Sequence, residues 1–142
     1  MSSWLSGRPR SSGRRGGRAD HGAAHDSAAR EALRRAADRL DRIRLYPRPV
    51  RLDGVRLVTL PLFFELPRLR RYDGYAFRKT IVLRRPPGRG ASDDLICHEL
   101  CHIWQTQHRP LAVFWAWLTK PYAENPYELE ARRAVAATRD ET

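Results

Sequence analysis

The sequence predicts an α+β fold in which helices flank a small sheet. Three observations support this prediction. Apolar residues recur at helical spacing before residue 46, they alternate at period two within residues 75–84, and residues 92–109 begin with helix-capping residues and end before a proline. A chain of 142 residues is long enough for one domain with a hydrophobic core. We therefore expect one folded unit, residues 26–142, preceded by a tail.

Residues 1–25 are rich in Ser, Gly, Arg and Ala and contain almost no branched apolar side chains. Such a composition buries too little apolar surface to offset the entropy that is lost on ordering. We therefore predict a disordered basic tail over residues 1–25. The whole chain carries 27 Lys and Arg against 16 Asp and Glu, a net charge of +11. Weak, nonspecific contact with nucleic acid through this tail is therefore expected.

The first predicted helix covers residues 27–46, with Ser27 as its N-cap. Apolar residues recur along it at the spacing of one buried helical face: Leu33, Ala37 and Leu40. Pro47 and Pro49 cannot continue a helix, so we expect the helix to end near Tyr46.

Two stretches with β-forming residues follow, residues 55–64 and residues 75–84. In the second stretch, apolar residues alternate at period two and would share one face of a strand: Tyr75, Phe77, Ile81 and Leu83. The turn signal Asp73-Gly74 precedes them. We expect a small, mostly antiparallel sheet in which residues 75–84 form one strand.

Two further helices are indicated by their capping residues. Ser92 is the expected N-cap of a helix that has an acidic first turn and ends near Arg109, because Pro110 cannot continue it. Asn125 is the expected N-cap of the last helix, which should continue through Ala137. We expect the sheet to pack on the helix that begins at Ser92, with the N-terminal and C-terminal helices flanking this unit.

The longest apolar run, residues 111–118, is far shorter than the roughly 20 residues that cross a bilayer. We therefore predict no membrane span and expect this run to lie in the core, with a pocket wall or docking patch as the alternative. The N-terminus lacks the apolar segment of a secretory signal. Cys97 and Cys101 lie four residues apart on a helix, which does not suit a disulfide. Together these features favour a cytoplasmic location.

The segment His-Glu-Leu-Cys-His at residues 98–102 carries a metal-binding pattern. Residues four apart lie on one face of a helix, so His98 and His102 can bind a single zinc ion. Glu99 follows the first ligand, where its carboxylate can reach a zinc-bound water without itself binding the metal. Zinc lowers the pKa of such a water to about 7, and the glutamate accepts its proton. The pattern predicts a zinc hydrolase with Glu99 as the catalytic base.

A catalytic zinc ion needs a third protein ligand, and Glu128, Glu130 and His108 are the candidates. The expected buried stripe of the last helix consists of Tyr127, Ala131, Ala134 and Val135. Steps of about 100° per residue place Glu128 nearer this stripe than Glu130. Glu128 is therefore the preferred ligand, although a capping box would also use a glutamate at this position. His108 has the spacing of a longer zinc motif, but Gln105 stands where that motif needs a glycine.

Peptide hydrolysis also needs a hydrogen-bond donor to the developing oxyanion. Tyr122, Tyr127 and His108 are candidates by position, and ordinary packing is the alternative for each. We expect Cys97 and Cys101 to be buried as small apolar residues rather than to act as metal ligands.

The two motifs together resemble those of the gluzincin metallopeptidases, in particular their minimal one-domain members. In gluzincins with Glu-x-x-Ala on a second helix, the glutamate is the third ligand, and the matching residue is Glu128. The resemblance covers about residues 50–140 and implies a zincin-like fold, with residues 75–84 as the edge strand along which an extended peptide lies. Arg132 stands where several gluzincin families carry Asp or Asn. The first motif is also similar to that of SprT-like proteases, but no histidine follows His108 to match their third ligand.

We therefore expect a zinc metallopeptidase that acts on peptide or protein substrates. Two alternatives remain open at this point. One is a catalytically inactive zinc-binding scaffold in which Glu128 only caps its helix. The other is a nucleic-acid-associated protein whose basic tail binds DNA.

Overall fold

A computed structural model of the chain describes residues 17–88 and 92–140. Its elements in chain order are helix α1 (Gly17–Ile43), strand β1 (Arg56–Thr59), a 3-10 helix (Pro61–Glu65), strands β2 (Gly74–Phe77) and β3 (Thr80–Leu83), helices α2 (Asp93–His108) and α3 (Pro110–Thr119), a second 3-10 helix (Tyr122–Glu124) and helix α4 (Pro126–Asp140). The expected α+β class is confirmed.

Helix α1 begins and ends earlier than its sequence predicts. It starts at Gly17 rather than at Ser27, because the alanines between them favour a helix even without branched apolar side chains. It ends at Ile43 because Arg44 adopts a left-handed conformation with φ 49°, before the two prolines are reached. Residues 17–25 are thus helical, and the rest of the predicted tail lies outside the described residues.

The sheet is mixed, with the strand order β1-β3-β2, and the expectation of a mostly antiparallel sheet was wrong. Strand β3 is central because β1 pairs parallel to it and β2 pairs antiparallel to it. Residues 55–64 form only the short strand β1, since Pro61 begins a 3-10 helix. Strand β2 lies at one edge of the sheet and packs against α2.

Residues 75–84 form a hairpin rather than one strand. The chain turns at Arg78, which has a φ of 54°, so that Ala76 pairs with Ile81. As a result of this turn, the apolar residues of the two strands lie on different faces of the sheet. Ile81 is buried on the side of α2, whereas Tyr75 and Phe77 are exposed. The prediction that Tyr75, Phe77, Ile81 and Leu83 share one face was therefore wrong.

Helix α2 lies in the centre of the molecule, where it packs against α1, α4, β2 and β3. Its N-cap is Ser92, whose side chain accepts a hydrogen bond from the Leu95 backbone N–H at 3.1 Å, and it ends before Pro110 as predicted. The predicted buried faces of α1 and α4 are also confirmed, because their apolar residues are buried: Leu33, Ala37, Leu40, Tyr127, Ala131, Ala134 and Val135. Helix α4 extends past Ala137 to Asp140.

The apolar run at residues 111–118 forms most of α3, yet it does not build the core. Among its large side chains only Val113 is buried, and Ala116 lies beside it. The other large side chains are exposed because only one side of α3 faces the rest of the molecule: Leu111, Phe114, Trp115, Trp117 and Leu118. Within the described residues, no helix combines the length and the apolar character needed to cross a membrane.

Candidate metal centre

The centre is built from two neighbouring helices. His98 and His102 lie one turn apart on α2, with their Nε2 atoms 3.2 Å from each other. Glu128, in the first turn of α4, places Oε1 3.2 Å from His98 Nε2 and Oε2 3.0 Å from His102 Nε2. One ligand atom from each of the three residues lies within 4.8 Å of the other two. The structure therefore brings together the three residues that the sequence favours as metal ligands.

Glu128 points into the molecule rather than back along its own helix. Asn125 caps α4, because its Oδ1 accepts a hydrogen bond from the Tyr127 backbone N–H at 3.0 Å. The Glu128 residue is only 2% exposed, and its carboxylate contacts the two histidines of α2. Small residues such as Ala131 on the same face of α4 allow α2 to approach. The alternative in which Glu128 closes a capping box is therefore not the arrangement seen.

The other two candidate ligands lie elsewhere. Glu130 accepts hydrogen bonds from Tyr46 and from Gln105. The His108 ring stacks on Tyr46 with 4.8 Å between ring centroids, and its Nδ1 lies 3.1 Å from the Trp104 carbonyl oxygen. Neither residue belongs to the group of potential ligands.

Gln105 contacts His102 Nδ1, and nothing in the sequence beyond the place of Gln105 on α2 indicates this contact. The Gln105 amide nitrogen donates to the Tyr127 carbonyl oxygen at 2.8 Å and to Glu130 at 3.2 Å. Both partners are acceptors, so the Gln105 oxygen is the atom that lies 2.9 Å from His102 Nδ1. His102 Nδ1 therefore donates a hydrogen bond to Gln105, and Nε2 is the ring nitrogen that faces Glu128 and His98.

The charges at the centre favour a bound cation. Burial raises the pKa of Glu128, but the hydrogen bonds from His102 and His98 outweigh burial and hold the pKa well below its usual range. Burial lowers the pKa of His102, yet the contact with Glu128 reverses the shift and raises it. A carboxylate and an imidazole lone pair that face each other at 3.0 Å need a positive charge between them, either a proton or a metal ion.

Glu99 lies beside the ligands and in contact with the edge strand. Burial raises the pKa of its carboxyl, while His102 and His98 oppose the shift, and the Ala76 backbone N–H donates a hydrogen bond to it. A Cβ atom at Gly74 would lie 3.2 Å from Glu99 Oε1, so the absence of a side chain at Gly74 lets β2 approach Glu99 closely. Glu99 is thus a buried carboxylate next to the ligands but outside the ligand group.

Tyr122 is the tyrosine that reaches the centre. Its hydroxyl donates to Glu128 Oε1 at 2.8 Å, and burial together with this contact raises its pKa to about 12, so it remains a donor at neutral pH. Arg132 donates to the same oxygen at 3.1 Å, and its guanidinium lies 5.8 Å from the centre of the Tyr122 ring. Tyr127 instead packs with Val113 away from the ligands. Position in the sequence alone did not distinguish Tyr122 from Tyr127 as the candidate oxyanion donor, and it indicated no role for Arg132.

Two cavities meet at the centre, and His98, Glu99 and Glu128 line both of them. The first is a cleft of about 330 Å³ with an apolar wall from β2 and α3: Phe77, Val113, Phe114 and Trp117. The second, of about 580 Å³, lies toward α4 and is bordered by charged residues of both signs: Arg71, Asp73, Asp94, Arg132 and Arg139. The centre is therefore reached along a continuous depression with one apolar and one charged half.

The two cysteines take no part in the centre. Both are buried and free, and neither belongs to the group of potential ligands. Burial raises the pKa of Cys97 to about 11 and also raises that of Cys101, so both remain thiols at neutral pH. The expectation that they pack as small apolar residues is confirmed.

No protein-family model matches the chain, and no curated protein or solved structure matches it either.

Proposed function

We propose that this protein is a zinc-dependent hydrolase that cleaves peptide bonds, similar in its chemistry to the minimal gluzincins. The observation that carries the proposal is the convergence of His98, His102 and Glu128, with Glu99 buried beside them. Two imidazole nitrogens and one carboxylate oxygen are a ligand set that catalytic zinc sites use, with the fourth position left for water.

The residues present fit a zinc ion. His98 and His102 would bind through Nε2, and Glu128 would bind through its carboxylate, because these are the atoms that converge. The hydrogen bond from His102 Nδ1 to Gln105 is the outer contact that zinc-binding histidines use to fix their tautomer. When bound, zinc would act as a Lewis acid and lower the pKa of a water molecule to about 7.

Glu99 is the proposed general base. Its carboxylate lines both cavities and is therefore accessible to a water molecule at the junction, although it lies outside the ligand group. Burial favours uptake of a proton by Glu99, as a base at neutral pH requires. Tyr122 and Arg132 are the proposed donors to the oxyanion, since the Tyr122 O–H and the Arg132 N–H both reach the centre, where they donate to Glu128 Oε1.

The cleft suits an extended peptide. Strand β2 lies at the edge of the sheet and lines the cleft beside the centre, so the backbone groups on its outer side, other than the Ala76 N–H that bonds to Glu99, can pair with an added strand. Phe77, Phe114 and Trp117 form the apolar wall of the cleft, which favours substrates with a large apolar side chain near the scissile bond.

The proposal is tested with purified full-length protein, a library of unstructured peptides and elemental analysis for zinc. We expect cleavage that a chelator abolishes and added zinc restores. Glu99→Gln should keep one zinc ion per chain but cleave roughly 10²–10⁴-fold more slowly, because an amide accepts no proton from water. The matched control is Glu124→Gln, an exposed glutamate in the second 3-10 helix, which should cleave like the unaltered protein.

Two results would overturn the proposal in different ways. Zinc at one ion per chain with no cleavage of any peptide would make the protein an inactive zinc-binding scaffold. Cleavage that neither the chelator nor Glu99→Gln reduces would place the activity outside this centre.

A further inference from the structure

Helix α3 exposes a continuous apolar face. At about 100° per residue, its four most exposed large side chains fall within an arc of about 100°: Leu111, Phe114, Trp115 and Leu118. The opposite side of the helix, with Val113 and Ala116, packs against Tyr127. The arc is convex, because its side chains protrude from one helix rather than line a groove, and Leu111 is 75% exposed.

Cations lie at both ends of α3. Arg109 precedes α3, Lys120 follows it, and Arg78 lies across the cleft that Phe114 lines. None of these three cations has an acidic partner within 4.0 Å in the part of the chain that the structure describes. Residues 109–121 contain no acidic side chain, and the whole chain has a net charge of +11. Positive charge without a described acidic partner thus lies at both ends of the helix that carries the apolar face.

We propose that α3 lies in the interface of an anionic lipid bilayer, with this apolar arc inserted and Arg109 and Lys120 at the level of the headgroups. An in-plane helix binds by this combination of buried Trp, Phe and Leu side chains with flanking cations. Tryptophan is enriched at this depth because its ring is apolar while its indole N–H can still reach polar headgroups.

The chemistry of the arc favours a bilayer over a protein partner. Its four side chains offer one hydrogen-bonding group, the Trp115 indole N–H, whereas specific protein interfaces carry about one hydrogen bond per 100–200 Å². A second copy of the chain would bring the same cations toward each other without an acidic residue of α3 to neutralise them. Phe114 and Trp117 also line the cleft of the metal centre, so binding through α3 would place the mouth of this cleft near the membrane surface.

The test measures cosedimentation of the full-length protein with phosphatidylcholine vesicles that contain or lack phosphatidylglycerol. We expect binding that phosphatidylglycerol strengthens and salt weakens. The double variant Trp115→Ser with Leu118→Ser should lose at least about tenfold in affinity, because both side chains are exposed and leave the bilayer when they are shortened. The charge variant Arg109→Gln with Lys120→Gln should lose most of the preference for phosphatidylglycerol.

The matched control is Leu62→Ser, an 83% exposed leucine in the first 3-10 helix, which should bind vesicles like the unaltered protein. Thermal unfolding of each variant checks that the fold is retained. Absence of binding to phosphatidylglycerol vesicles, or an equal loss in Leu62→Ser, would overturn the proposal. A dimer that the double variant dissociates while vesicle affinity stays unchanged would assign the face to a second copy instead. None of these readouts depends on zinc or on hydrolysis.

Discussion

Helices α2 and α3 follow each other with only Arg109 between them, yet they differ in how much of each helix is buried. Helix α2 contains histidine, glutamate and glutamine and still lies in the centre of the molecule, whereas α3 carries no charge and is largely exposed. Gln105, a fully buried polar residue of α2, tolerates burial because its side chain has partners in His102 and Glu130. Burial in this protein thus depends on which elements surround a helix, and the hydropathy of the segment alone does not determine it.

The largest effect on folding should come from matched leucines in these two helices. Leu100 of α2 is 0% exposed, and Leu100→Ala should lower the free energy of unfolding by about 2–5 kcal/mol through lost contacts and a residual cavity. Leu111→Ala in α3 should change it by less than about 0.5 kcal/mol, because Leu111 is mostly exposed. Urea denaturation of both variants measures the difference. Equal destabilisation would mean that α3 is covered in solution.

The next largest effect is on zinc affinity, and it should distinguish two glutamates of α4 that lie two residues apart. Glu128→Gln should weaken zinc binding by more than about 100-fold, because it removes a charged ligand rather than an outer contact. Glu130→Gln should keep the metal, since an amide oxygen can still accept the hydrogen bonds from Tyr46 and Gln105. Competition with a chromophoric chelator gives both affinities. Our choice of third ligand is wrong if Glu130→Gln releases zinc while Glu128→Gln retains it.

A smaller effect on the metal should distinguish two glutamines of α2. Gln105→Leu removes the acceptor that fixes the tautomer of His102 and should reduce zinc affinity roughly 10–100-fold. Gln107→Leu is the control, because the hydrogen bonds of the Gln107 side chain to the described residues go to the backbone of Arg51, at 3.0 Å and 2.8 Å. The same chelator competition applies. An unchanged affinity in Gln105→Leu would show that His102 needs no support from this side chain.

The sequence predicts best where the signals are local. The cap at Ser92, the proline at Pro110 and the His98–His102 spacing lie within one segment, so α2 and two ligands follow from it. Helical periodicity was enough to place Glu128 on the buried side of α4, although the partner helix could not be identified. The predictions that failed depend on contacts between segments. The hairpin at Arg78 follows from the pairing of β2 with β3, and the exposure of α3 follows from the absence of any described element over its outer side.

The smallest expected effect is on the free energy of unfolding and comes from Asp94, in the N-terminal turn of α2. Asp94 pairs with Arg39 of α1 and Arg139 of α4, whereas the described structure shows no ion pair within α3. Hydrogen bonding to Arg39 lowers the pKa of Asp94 against the opposing effect of burial, and Arg139 adds to the lowering. A carboxyl with a depressed pKa in the folded state stabilises the fold above its unfolded pKa of about 3.9 and loses this contribution as pH falls through the folded value.

Asp94→Asn should therefore reduce the free energy of unfolding at neutral pH by at most about 1 kcal/mol, because Asp94 is partly exposed and solvent screens the pairs. The difference from the unaltered protein should shrink as the pH falls below the ordinary aspartate range, since both proteins then carry an uncharged group at this position. Asp38→Asn, on the exposed side of α1, is the control and should show no such pH-dependent difference. Urea denaturation at neutral and acid pH provides the comparison. A difference that stays constant across this range would mean that the packing of Asp94, and not its charge, holds the start of α2 between α1 and α4.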